Sequence, residues 1–112
     1  MNRMLKEKIF HELQLSLLEL EKSVLLARQS LTTQKDLPSW VFARLDQYMK
    51  IIDKQKTLAN QIVEATSFET ICSIANKINV LSGLIADDSV ELINSILKPG
   101  ENKFERKNYI SC

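Results

Sequence analysis

In three stretches of this chain the apolar residues recur at alternating steps of three and four, and that spacing limits the fold more than any other feature of the sequence. The first stretch carries Phe10, Leu13, Leu17, Leu20, Val24, Ala27 and Leu31. The second carries Val41, Leu45, Tyr48, Ile52, Ala59 and Ile62, with Gln55 as a polar interruption. The third carries Ile71, Ile74, Ile78, Leu81, Ile85 and Leu92, with Asp88 in the same row. Such a row lies along one side of an α-helix and stays out of water only if another helix covers it.

Punctuation separates the three stretches. The prolines are Pro38 and Pro99, and the glycines are Gly83 and Gly100. Asp36 is placed to cap a helix with Pro38 in its first turn, where a missing N–H costs nothing. Thr66 with Glu69 fits a capping box for the next helix. Lys98-Pro99-Gly100 is a stop. The spacing predicts helices over Met4 to Thr32, Pro38 to Ala65 and Phe68 to Leu97. Similar lengths and short connections predict an all-α, up-down-up bundle of three long antiparallel helices. The third is expected to be kinked or split near Gly83–Ser89, where Asp88 and Glu91 are also placed to cap a separate fourth helix; a single kinked helix matches the other two in length. Residues 1–98 are read as the bundle domain. Residues 99–112 have no period and are read as a flexible tail dispensable for folding.

Composition narrows the function. Fifteen basic and fourteen acidic residues give a net charge of +1. The signs are evenly spread, with no basic block of the kind nucleic-acid binders show, so the chain is not expected to bind nucleic acid. Lys6, Glu7, Lys8, His11 and Glu12 break up the N-terminal stretch, so neither a signal peptide nor a membrane contact is expected. Two cysteines are too few for a disulfide framework. Cys72, in a helical apolar pattern, is expected to be a small buried hydrophobe, and Cys112 a free thiol. These readings point to a cytoplasmic protein. Trp40 is expected to be a hydrophobic staple or core residue rather than an exposed contact.

No constellation for catalysis stands out. A single histidine rules out paired-histidine metal motifs, and the cysteines lack metal spacing. No glycine-rich loop precedes a helix to cradle a phosphate, so no cofactor or small-molecule substrate is expected. Asp87 and Asp88 are adjacent and point apart on a helix, so they make no carboxylate pair. The run His11-Glu12-Leu13-Gln14-Leu15-Ser16-Leu17 resembles the start of the phosphoacceptor box of sensor histidine kinases, His-Glu-Leu-Arg-Thr-Pro-Leu. That resemblance implies a phosphotransfer role for His11. It covers three positions, lacks the proline and has Leu15 where the family has a polar residue, so His11 is expected not to be catalytic.

The anomaly lies on the first helix. Leu15, Leu18, Leu25 and Leu26 fall opposite its apolar row, at 100° per residue. A helix apolar on two sides is expected to be buried on two sides. Lys22 sits among these leucines, its stem able to cover apolar surface while its charge reaches water. This face is expected to meet a protein partner, a second copy of the chain, or both. The expectation is a non-enzymatic interaction protein of the adaptor, small chaperone or anti-activator type. In size and helicity the chain is similar to small bacterial secretion chaperones of the flagellar and type III systems. The alternatives are a phosphotransfer domain using His11 and a dimeric nucleic-acid-associated regulator.

Overall fold

The computed structural model describes residues 3–34 and 36–97. Three α-helices follow in order: α1, Arg3–Thr32; α2, Ser39–Glu64; and α3, Phe68–Leu97. No strand occurs among the described residues. Packing of α1 on α2 and of α2 on α3 makes a three-helix bundle, as the spacing predicts. The expected tail, residues 99–112, lies outside the described residues.

The described residues divide into two compact units between Ser82 and Gly83. In the first unit, α1, α2 and the start of α3 share a core. One cluster in it joins Leu17 from α1, Ala59, Ile62 and Ala65 from α2 and its end, and Ile71, Ile74 and Ile78 from α3. All seven positions of the second row, Gln55 included, are buried in α2. In α1 only Leu17 and Val24 of the first row are buried. Phe10, Leu13, Leu20 and Leu31 are half-buried, and Ala27 is exposed. A helix covered by two neighbours hides its whole row, whereas one covered from a single side hides only the centre of its stripe. In the second unit α3 continues with Ile85 and Leu92 buried and Leu84, Val90, Ile93 and Leu97 exposed.

The single long third helix favoured by length is present, and no fourth helix begins at Asp88. The helix runs through Gly83 and Asp88 without a break, and the Ser89 hydroxyl donates back to the Ala86 carbonyl, 2.8 Å away, instead of opening a new cap. A Cβ added at Gly83 would meet nothing within 4 Å, so close packing does not require the glycine.

Two caps differ from the sequence reading. Asp36 does not cap α2: it stands at φ 68°, in the left-handed region. Pro38 is the cap residue, with extended backbone and no side-chain bond. The cause is local, since a residue before proline is driven out of the helical region, so Leu37 cannot begin the helix. At α3 the capping residue is Ser67 and not Thr66. The Thr70 N–H donates to Ser67 Oγ at 3.2 Å, and the two hydroxyls lie 2.8 Å apart. Glu69 then falls in the first turn, where its charge favours the helix dipole without closing the box.

Three polar links fix α1 antiparallel to α2. Lys6 Nζ donates to the carbonyls of Val63 at 2.9 Å and Ala65 at 3.3 Å. Further along α1, Glu21 pairs with Lys56. Near its end Arg28 pairs with Asp46 and lies 5.9 Å from the centre of the Phe42 ring. Residue numbers rise along α1 as those of their partners fall along α2. Lys6 also places a cation on the carbonyls at the end of α2, where the dipole is negative. Lys6→Met keeps the stem and removes the charge. It is expected to cost about 1 kcal/mol, read as a fall in Tm of about 5 °C; an unchanged Tm would show that the contact does not stabilise the fold.

Candidate interaction surface

The surface on α1 begins with the same residues that build the core. Leu17 and Val24 point into the bundle. At 100° per residue, Leu15, Leu18, Lys22, Leu25 and Leu26 then point roughly away from it. The structure places them there. Leu15 is 49% exposed, Leu18 54%, Leu25 44% and Leu26 58%, and Lys22 is exposed beside them. No described part of the chain wraps round to cover this face. Met4, which sequence reasoning did not assign to the face, lies on the same side and is exposed. Its spacing of eleven residues from Leu15, three helical turns, is the signal that could have found it.

His11 is also exposed. It borders a shallow cleft of about 320 Å³ where α1 meets α2, with Gln14, Leu15 and Leu18 on one side and Lys56 and Asn60 on the other. No aspartate or glutamate lines that cleft to orient an imidazole. Among the described residues no group of three or more His, Cys, Asp or Glu side chains is gathered to hold a metal ion. No described helix is long and apolar enough to cross a membrane.

A second surface escaped the sequence reading. Along α3 a shallow groove of about 930 Å³ is lined by Leu58 of α2 and by Phe68, Cys72, Val80 and Leu81 of α3, with Lys54 and Lys77 among them. Cys72 is an exposed free thiol and not a buried hydrophobe. It sits one position past Ile71, which takes the core direction, so it is turned aside by about 100°. Trp40 is 44% exposed, which overturns the staple or core expectation. Val41 next to it is fully buried and occupies the inward direction at the start of α2.

No family model matches the chain, and neither does any curated protein or solved structure.

Proposed function

We propose that this protein is a non-enzymatic interaction module that holds a protein partner against the outer face of α1. The observation that carries the reading is the exposure of Leu15, Leu18, Leu25 and Leu26 together on the sector of α1 turned away from buried Leu17 and Val24. Burying the exposed half of each leucine is worth about 1 kcal/mol. Four such increments on one helix face are what a helix-on-helix contact uses. The charge distribution supports the same reading. Arg3, Lys6 and Arg28 of α1 are engaged by Glu7, by backbone carbonyls and by Asp46. These three basic groups thus make contacts within the chain instead of standing free for phosphates. An adaptor, a small chaperone and an anti-activator all work through a face of this kind, and the partner's identity distinguishes them.

The test is site-specific photo-crosslinking in the native cell, with the crosslinker at position 15, 18 or 25 and at Lys50, an exposed α2 position, as control. Discrete cross-linked species are expected from positions 18 and 25 and not from position 50. The double variant Leu18→Glu with Leu25→Glu should keep its helical circular dichroism and lose the species formed from position 15. Cross-linking no stronger at 18 and 25 than at 50 would remove the interaction reading. Unfolding of the double variant would show that these leucines belong to the core.

A further inference from the structure

The outer face of α1 carries a heptad row of its own. Met4, Lys8, His11, Leu15, Leu18, Lys22, Leu25 and Gln29 follow one another at steps of four, three, four, three, four, three and four. All eight are exposed. This is the spacing of a two-stranded coiled-coil seam, and it lies opposite the row that builds the core. The exposed apolar residues of α3 make no such row. After Val80 and Leu84 the next is Val90, six residues on, which swings the stripe by about 120° round the helix.

The charges in the outer row decide what can cover it. Two copies of α1 laid parallel would set Lys8, His11 and Lys22 each against its own counterpart, three like pairs along one seam. Laid antiparallel about a two-fold axis level with Leu20, none of the three meets its own counterpart, and Lys8 lies level with the partner's Thr32. Leu15 lies level with the partner's Leu25, and Leu26 is one residue from level with the partner's Leu15. His11 lies level with the partner's Gln29. Lys22 lies level with the partner's Leu18 and one residue from level with the partner's Glu19, and symmetry repeats that pair across the axis. Each end of the contact is then an apolar cluster and its centre a crossed pair of opposite charges. An isologous interface needs such self-complementarity. Glu19 and Lys22 are both exposed, and among the described residues neither joins an ion pair within the chain.

From this arrangement we infer that the occupant of the α1 outer face is a second copy of the chain, docked antiparallel through α1. The inference rests on the proposed interaction role of that face and names its partner.

Sedimentation and paired spin-label distances on the purified full-length protein test it. At about 100 μM, well above a micromolar Kd, the protein is expected to sediment as a dimer, and the Leu15→Glu, Leu25→Glu variant, which sets like charges level with each other, as a folded monomer. Lys22→Glu alone and Glu19→Lys alone are each expected to weaken dimerisation about tenfold, and the two together to restore it to within about threefold. A label at Glu12, in a Cys72→Ser, Cys112→Ser background, is eight residues from the axis. It should therefore lie about 24 Å or more from its counterpart along the helix, where a parallel pair would bring the two level. A label distance well below that range, or a charge swap that fails to rescue, overturns the antiparallel pairing. A wild-type monomer at this concentration overturns self-pairing. If position 18 still cross-links to a different protein in the cell, the interaction role of the face survives; if position 18 captures nothing, both fail together.

Discussion

Leu17→Ala is expected to cost about 3 kcal/mol of stability, and Leu18→Ala, at the next residue, less than about 0.5 kcal/mol. The two side chains are chemically identical and differ only in direction. Leu17 is 2% exposed, in one cluster with Ala59 and Ile62 of α2 and Ile71, Ile74 and Ile78 of α3. Truncating it removes buried methyl groups and leaves a cavity that surrounding helices fill only in part. Leu18 is 54% exposed, turned about 100° from Leu17 on the same turn. Truncating it changes little that the monomer has buried. Urea denaturation of both variants checks this, with unchanged m-values confirming that the unfolding transition is the same. The measurement belongs at low protein concentration, because a dimer would add its own association energy to the apparent stability. Similar costs at the two positions would mean that the outer leucines are core, and the interaction surface would then be removed.

What the sequence made legible follows from how strongly each helix is covered. The α2 row was readable to the residue because that helix is packed by both others, so burial there tracks spacing without exception, Gln55 included. The α1 row was readable in direction but not in depth. Ala27 has the right phase yet is exposed, because cover from one side shields the stripe's centre and thins toward its ends. The exposure of the outer leucines followed from phase, since Leu15 and Leu26 lie roughly opposite Leu17 and Val24, and Leu18 and Leu25 are turned about 100° aside from them. The caps were harder. Thr66 and Ser67 are adjacent hydroxyls with equal claim to a cap, and the choice depends on one backbone turn that only the chain's entry from α2 decides. Cys72 and Trp40 were misplaced for a shared reason. Each sits beside a residue, Ile71 or Val41, that takes the inward position, and composition-based burial tendencies do not register that competition. The α3 groove joins Leu58 to residues of another helix and therefore had no signature within either segment.

At Gln55 the expected order of stability is Leu at or above the wild-type Gln, with Ala lowest by about 2–4 kcal/mol. Gln55 is fully buried in a row that is otherwise apolar or aromatic. Its Nε2 donates to the Ile78 carbonyl at 2.8 Å and to Ser82 Oγ at 2.8 Å. The carbonyl fixes the amide's orientation, because the opposite flip would set oxygen against oxygen. Oε1 is buried without a partner. An acceptor stranded in this way costs about 1–3 kcal/mol, which offsets much of what the two donated bonds contribute. Gln55→Leu removes the stranded oxygen and fills nearly the same volume. It strands nothing new, since the Ile78 carbonyl remains inside a helix and half-buried Ser82 can turn its hydroxyl elsewhere. Gln55→Ala loses the bonds and opens a cavity. Thermal and urea denaturation of the three proteins would establish the order, and a leucine variant less stable than the alanine one would overturn it. A polar group retained in a seam at no gain in stability acts instead on specificity, as a single buried amide does when it fixes the register of a coiled coil. Here the two bonds hold one level of α2 to the Ile78–Ser82 turn of α3. In the leucine variant α3 is therefore expected to show broadened or doubled amide resonances at undiminished stability, whereas a single sharp set would assign the register to the apolar packing alone.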